Sequence, residues 1–147
     1  MLKDIIDKSE IMEILPYRYP MLMIDGVSDI EYGKKVCAYK DIKNDEFWCQ
    51  GHFPGEPVMP GVLIAETMAQ AAAFIFYGAD SSENIRAYLS KIENMTFISK
   101  VVPECKLTVE AVLDVEIAGV ARFKCKADAD GVAVAKGTIS CYIGREQ

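Results

Sequence analysis

Two residues of this 147-residue chain, His52 and Glu66, have surroundings that favour acid–base chemistry. His52 is the only histidine, and it lies in a segment dense in Gly and Pro, GHFPGEPVMPG at residues 51–61. Gly and Pro adopt special or restricted backbone angles, so a loop of this composition holds a side chain in a fixed place. Imidazole changes charge near neutral pH and can therefore accept a proton. A hydrogen-bonded structural histidine is the alternative interpretation.

Glu66 is the only charged residue between Glu56 and Asp80. Apolar side chains occupy nearly every face of a helix predicted over residues 61–77, so this helix is expected to be buried on most sides. A buried carboxylate needs a partner or takes up a proton, and a protonated Glu can donate to a leaving hydroxyl. A structural ion pair, or a position facing a water-filled crevice, is the alternative.

The start of the same helix supplies hydrogen-bond donors. Pro60 and Gly61 lie there, where backbone N–H groups lack intrahelical acceptors and stabilise negative charge on an oxygen. A thioester carbonyl docked at this point would gain enolate character when its α-proton is removed. Base, acid and oxyanion donor are then expected to converge within residues 51–66. This combination favours elimination of water from a 3-hydroxyacyl thioester over hydrolysis, since no Ser–His nucleophile is evident.

Cys49 lies three residues before His52, which also fits a Cys–His nucleophile or half of a metal site. No second Cys or His is placed to complete either arrangement, and none of the five cysteines has C-x-x-C spacing. We therefore expect no metal, no cofactor and no disulfide framework. Reduced thiols are typical of a cytoplasmic protein.

The elements that must position these residues are mostly strands. Apolar and polar residues alternate with period two over residues 107–116 and 121–128, a pattern typical of strands with one solvated face. Asp130-Gly131 predicts a two-residue hairpin turn. The other strands are predicted at residues 35–41, 85–90 and 132–143, and residues 21–24 are predicted to be a strand or an edge segment.

Two helices are predicted, the buried one and a short one over residues 9–15, with Ser9 as N-cap and Pro16 as the stop. A polar loop is expected at residues 80–84. One buried helix lying on an antiparallel meander gives an α+β architecture, and residues 1–147 are expected to form a single domain. A domain of this size buries only a modest core by itself, which favours an oligomer.

Charge and hydropathy exclude several classes of function. The net charge of −6 argues against non-specific nucleic-acid binding. The long neutral stretch around Glu66 is not expected to cross a membrane, because a central charge is costly in lipid, and the first residues lack signal-peptide features. A basic stripe, Arg122, Lys124 and Lys126, could attract an acidic partner, but it is interpreted as the solvated face of a strand.

The segment from residue 51 to residue 70 resembles the 3-hydroxyacyl-acyl-carrier-protein dehydratases of bacterial fatty acid synthesis. The resemblance is carried by GHFPGEPVMPGVLI at residues 51–64, followed by Glu66 and by Met-Ala-Gln at residues 68–70. LPYRYP at residues 15–20 adds to it. The resemblance implies a hot-dog fold, in which an antiparallel sheet wraps one long central helix.

The resemblance also implies roles for individual residues. His52 is expected to act as the base and Glu66, from a partner subunit, as the acid, while the Gly61 N–H binds the thioester carbonyl. Tyr88 matches a tyrosine that gates the acyl tunnel in some members. Glu at position 66, where dehydratase-isomerases have Asp, resembles the simple dehydratases. The expected substrate-binding residues are Gly61, Phe53, Val62 and Tyr88.

The partners that the resemblance implies are acyl carrier protein, which carries the acyl substrate, and further copies of the chain. Homodimers with shared active sites are expected, commonly assembled as a trimer of dimers. Two alternatives remain, a hot-dog acyl thioesterase and a non-catalytic acyl-thioester-binding subunit. The sequence departs from the family at three places: Tyr17 replaces a usual His, Gly26 a usual Arg, and Pro103-Glu104-Cys105 a usual Pro-Gly-Asp turn.

Overall fold

A computed structural model describes residues 5–77 and 84–146, which form two helices and one six-stranded sheet. A 3-10 turn, Phe74–Phe76, continues the second helix. The predicted polar loop at 80–84 lies outside the described residues, except for Asn84, which begins a strand. The elements in chain order are α1 Lys8–Ile14, β1 Gly26–Glu31, β2 Lys35–Ile42, α2 Gly61–Ala73, β3 Asn84–Phe97, β4 Cys105–Ile117, β5 Val120–Ala129 and β6 Val132–Glu146.

The sheet is antiparallel throughout, with strand order β1-β2-β4-β5-β6-β3. Strands β4, β5 and β6 form the predicted meander. The turn between β5 and β6 confirms the predicted hairpin, because Asp130 and Gly131 both have the positive φ angles, 48° and 85°, that a type I′ turn requires. Strand β3 pairs with β6 at the outer edge of the sheet, a position that strand periodicity does not predict.

The core lies between α2 and the apolar face of the sheet. Helix α2 contacts β2, β3, β4, β5 and β6, so the sheet wraps around it and the predicted α+β hot-dog architecture is confirmed. The small side chains of its C-terminal half are fully buried, which lets the helix axis approach the strands closely. The largest buried side chains between the two layers include Met68, Phe74, Leu107, Phe123 and Ile139.

The cap of α1 differs from the prediction. Asp7 is the N-cap: its carboxylate accepts from the Glu10 N–H over 3.1 Å, and the Glu10 carboxylate accepts from the Asp7 N–H over 3.5 Å. This reciprocal pair is a capping box. Ser9 lies inside the first turn and donates its hydroxyl to Asp7 over 2.7 Å. The helix ends at Ile14, just before the predicted stop.

The prediction of a strand or an edge segment at residues 21–24 is wrong. This segment has no strand conformation, and its apolar residues Met23 and Ile24 are buried by packing. The Met23 N–H donates to the side chain of Gln70 on α2, where a strand would use a ladder partner. The first strand is instead β1, which the sequence analysis missed because its exposed and buried residues do not alternate.

The basic stripe on β5 is solvent-exposed, as interpreted. Arg122 Nε lies 2.9 Å from Asp114 Oδ2, and Lys126 Nζ lies 3.8 Å from Glu110 Oε2 on the adjacent strand β4. Such exposed pairs contribute little stability. Among the residues that the structure describes, neither helix has the length and apolar character needed to cross a membrane.

Candidate active site

The loop before α2 fixes the imidazole of His52. The His52 N–H donates to the Trp48 carbonyl over 3.0 Å, and the Val58 N–H donates to the His52 carbonyl over 2.7 Å. The ring nitrogen Nδ1 lies 2.7 Å from the Val58 carbonyl oxygen. Because a carbonyl oxygen can only accept, Nδ1 carries a proton, so in the neutral imidazole the lone pair is on Nε2. The loop therefore selects the tautomer of the neutral ring that can accept a proton at Nε2.

His52 and Gly61 line the same cleft, which has a volume of about 420 Å³. The ring of Phe97 on β3 lies directly over Gly61, since a Cβ there would come 3.0 Å from Phe97 Cε1 and Cζ. The missing side chain thus lets β3 approach the first turn of α2. The later N–H groups of that turn donate to the Pro60 carbonyl, which leaves the first ones, beginning with Gly61, for a ligand. The cleft therefore combines an imidazole with backbone donors that suit an oxyanion.

Phe53 and Val62 lie at the solvent-exposed side of this region. The Phe53 ring stacks on His52 with centroids 4.1 Å apart, and 54% of Phe53 is exposed. Phe53 also lines an adjoining cleft of about 700 Å³, which shares Val58 and Lys100 with the His52 cleft. Val62, in the first turn of α2, is 71% exposed. Both predicted substrate-binding residues are therefore solvent-accessible, but only Phe53 contacts His52, and Val62 lines neither of these two clefts.

Glu66 lines a different cleft, of about 540 Å³, together with Tyr17, Arg86 and Tyr88. The carboxyl group is half-buried, and this burial raises the pKa of Glu66, while a hydrogen bond from Gln70 lowers it. Burial is the larger effect, so the protonated form is favoured relative to an ordinary glutamate. Tyr88, the predicted gate, is 52% exposed at the same cleft.

Gln70, predicted only as part of the Met-Ala-Gln motif, is a buried neighbour of Glu66 on α2. It is fully buried, and its Nε2 donates to Glu66 Oε2 and to the Met21 carbonyl, each over 2.8 Å. Its Oε1 accepts from the Met23 N–H over 2.8 Å. The spacing of four residues between Glu66 and Gln70 on a predicted helix is a signal that could have identified this pair.

Tyr17 is a second neighbour of Glu66. Its hydroxyl donates to the Ala87 carbonyl on β3 over 3.2 Å. Burial, followed by the negative charge of Glu66, raises the pKa of Tyr17 to about 12, so the phenol remains a hydrogen-bond donor at neutral pH. The sequence shows Tyr17 as a departure from the family, but only the tertiary fold places it beside the acid.

The structure brings together two of the three predicted groups within one chain. His52 and Gly61 share a cleft, whereas Glu66 lines another. Glu66 follows Gly61 by five positions, which at 3.6 residues per turn turns the side chain by roughly 140° around the α2 axis. The N-terminus of α2 therefore lies at one cleft, and the carboxyl group of the Glu66 side chain lies at the other.

Comparison with known proteins gives the family. A model of the FabA-like domain matches residues 15–138 of the chain. The 3-hydroxyacyl-acyl-carrier-protein dehydratase FabZ of Ruminiclostridium cellulolyticum is 44% identical over 130 residues, which cover 88% of this chain and 92% of that protein. The chain belongs to the FabZ family. The FabZ protein of Wolbachia sp. subsp. Drosophila simulans is 41% identical over 135 residues, 92% of this chain and 94% of the relative.

Solved structures with low sequence identity share the fold of this FabZ-family chain. The dehydratase heterocomplex ApeI:P from Xenorhabdus doucetiae has a TM-score of 0.73 at 17% identity, covering 91% of this chain and 90% of the other. A hypothetical thioesterase from Streptococcus pneumoniae, solved with coenzyme A, has a TM-score of 0.61 at 8% identity, covering 82% and 86%. At these identities the likeness extends to the fold alone.

The departures from the FabZ-family motif fall at separate places. Gly26 begins β1, and Tyr17 lies in the Glu66 cleft. The Glu104 carboxylate accepts from the backbone N–H and the side-chain amide of Asn44 over 3.1 and 2.9 Å, and Lys43 Nζ lies 3.7 Å from it. Side-chain contacts of Glu104 therefore connect the turn before β4 with residues 43–44, which precede His52 in the chain.

Proposed function

We propose that this chain removes water from 3-hydroxyacyl-acyl-carrier-protein thioesters, giving trans-2-enoyl thioesters in fatty acid or related acyl-chain synthesis. One observation carries the proposal: His52 Nδ1 is held on the Val58 carbonyl, so Nε2 is free to take a proton in a cleft that also contains the start of α2. The FabZ relatives, which are named for this reaction, support the substrate class.

The proposed reaction has two proton movements. His52 Nε2 takes a proton from the α-carbon, and the electrons of that bond move onto the thioester carbonyl, whose developing negative charge the Gly61 N–H stabilises. The enolate electrons then form the double bond between the α- and β-carbons. The β-hydroxyl leaves with a proton from Glu66, so the products are water and the enoyl thioester. These steps use only side-chain and backbone groups, with no cofactor.

Glu66 suits the acid role because its environment favours the protonated carboxyl. Burial raises the pKa of Glu66, and the Gln70 amide holds one carboxyl oxygen at 2.8 Å. The other carboxyl oxygen is then available to face a substrate hydroxyl. Gln70 is itself fixed by Met21 and Met23, so it restricts the orientation of the acid without taking part in proton transfer.

The complete site is proposed to lie between two copies of the chain. The base and the acid line different clefts of one chain, and a two-fold dimer can bring each His52 to the partner's acid. Strand β3, at the outer edge of the sheet, exposes Tyr88, Leu89, Ile92 and Phe97. A long exposed apolar edge favours pairing with another strand. The proposed assembly is a homodimer with shared sites, further assembled as a trimer of dimers.

Acyl carrier protein is the proposed partner that delivers the substrate, because the relatives are named for carrier-bound substrates. The cytoplasm is the proposed location. All five cysteines are unpaired thiols, as is typical of proteins in a reducing compartment.

The test is turnover of a chain-length series of 3-hydroxyacyl carrier-protein substrates by the purified protein. Formation of the conjugated enoyl thioester, followed by absorbance and mass, is the expected result. Release of free thiol would instead show a thioesterase. Binding of the substrate in a single-turnover experiment without either product would show a non-catalytic subunit, and both of these outcomes would overturn the proposal.

A further inference from the structure

The ring of Tyr88 rests on strand β6. Tyr88 on β3 is directly opposite Tyr142 on β6, and their ring centroids are 6.3 Å apart. Gly144 lies two residues further along β6, on the same face of the sheet, and faces Arg86 in the strand register. Tyr88 is half-exposed in the single chain, so the sheet bounds its ring on one side, and its other side belongs to the β3 edge that is proposed to pair with a second copy.

Gly144 provides the space that this ring occupies. A Cβ added at Gly144 would lie 3.1 Å from Tyr88 Cε2, whereas its next neighbours, the carbonyl oxygen and Cβ of Arg86, would lie at 3.7 and 3.8 Å, which is ordinary contact. The backbone of Gly144 does not have a positive φ, so it could carry a side chain without strain. Of the three atoms nearest to such a Cβ, only the one in the Tyr88 ring lies closer than ordinary contact.

Gly119 makes an instructive contrast. A Cβ there would lie 3.4 Å from Tyr142 Cε2, which is an ordinary distance, but Gly119 has a φ of +82° and closes the turn between β4 and β5. Gly119 is thus favoured by its backbone angle, whereas a side chain at Gly144 would meet a neighbouring ring. A methyl group at Gly144 would push the Tyr88 ring away from β6 by a few tenths of an ångström.

We propose that Gly144 is a specificity-determining residue, which acts by leaving room for the Tyr88 ring over β6 and so sets the width of the cleft beside Glu66. The inference rests on the proposed function, since it assigns a determinant of acyl chain length to the same cleft. Tyr88 lines that cleft together with Glu66 and Leu89, so a shift of its ring changes the space beside the acid. Gly144 itself touches no substrate and is a positioning residue.

The experiment is a double-mutant cycle with Gly144→Ala, Tyr88→Ala and the double variant, read as the ratio of kcat/KM for long and short 3-hydroxyacyl carrier-protein substrates. Gly144→Ala is expected to change this ratio by about threefold or more, the scale of coupling between residues in contact. In the Tyr88→Ala background the same substitution is expected to change the ratio less than about twofold, because the ring it displaces is gone.

The controls separate the possible failures. Wild-type turnover of the shortest substrate tests the proposed function, and its absence would remove that function and the inference together. If the wild type is active and Gly144→Ala keeps the wild-type ratio, or changes it equally with and without the Tyr88 ring, the role of Gly144 is overturned. Thermal unfolding of all variants, and the NMR shifts of the Tyr88 ring protons, show whether the ring moves in a folded protein; an unmoved ring also overturns the proposal.

Discussion

Gln70 donates from Nε2 to Glu66 Oε2 over 2.8 Å, one helical turn further along α2. This bond favours the charged carboxylate and lowers the pKa of Glu66 against the larger effect of burial. We expect Gln70→Leu to raise the pKa of Glu66 further, measured by NMR titration of the labelled side-chain carboxyl. Thr67→Val is the matched control, because the Thr67 hydroxyl donates to the Leu63 carbonyl on the same helix and makes no bond to Glu66 within the described residues. An unchanged or lowered titration midpoint of Glu66 in the Gln70→Leu variant would show that the Gln70 hydrogen bond does not lower the pKa of Glu66.

Glu66 should also make stability depend on pH. Its pKa is raised in the folded state above the ordinary value of 4.5, so the folded protein binds the proton more tightly than the unfolded chain. The stability linked to this proton is fully present below the unfolded pKa and is lost as pH rises through the folded pKa. We expect the unfolding free energy of Glu66→Gln to decline less than that of the wild type over this window, measured by denaturant titrations at several pH values. Parallel curves would rule out this contribution.

The acid–base pair should be essential for turnover but not for folding. We expect His52→Ala and Glu66→Gln each to reduce dehydration by about a hundredfold to ten-thousandfold, the usual contribution of a general acid or base. Steady-state rates are the measurement, with thermal unfolding as the check on the fold. A folded variant with near-normal turnover would remove that residue from the mechanism.

The shared site predicts that two inactive proteins can restore activity. When His52→Ala and Glu66→Gln chains exchange subunits, each mixed dimer has one doubly damaged site and one intact site. We expect about a quarter of wild-type activity, since half of the dimers are mixed and half of their sites are intact. Subunit exchange is verified by native mass measurement. If exchange is complete and activity stays absent, both groups must act within one chain.

Tyr88 should affect the choice of substrate more than the chemistry. Its ring is half-exposed at the Glu66 cleft, so its removal opens space without taking away a proton donor or acceptor of the mechanism. We expect Tyr88→Ala to shift chain-length preference while the rate on short substrates stays close to the wild type. The measurement is kcat/KM across the acyl series. An equal loss at every chain length, or a large drop in Tm, would instead identify a structural tyrosine.

Local patterns in the sequence predicted the elements whose signals lie within a few residues. Period-two alternation predicted β4 and β5 because each strand has one solvated face, and Asp130-Gly131 predicted its turn because few residue pairs accept two positive φ angles. Glu66 stood out as the single charge in an apolar helix, because a carboxylate is costly to bury without a partner. The prediction for residues 21–24 was wrong because packing against α2 buries apolar residues as effectively as a place in a sheet does.

The sequence by itself determined the chemical types, namely one imidazole in a rigid loop, one acid in a buried helix and a helix start between them. The tertiary structure alone decided how these groups are distributed: His52 with Gly61 in one cleft, Glu66 with Tyr17 and Tyr88 in another. The physical reason is that the chemical type of each side chain is given by one position in the sequence. The side chains that surround it in space depend on contacts between residues far apart in the chain. The bond from Tyr17 to Ala87 and the place of β3 beside β6 are such contacts, and no periodicity encodes them.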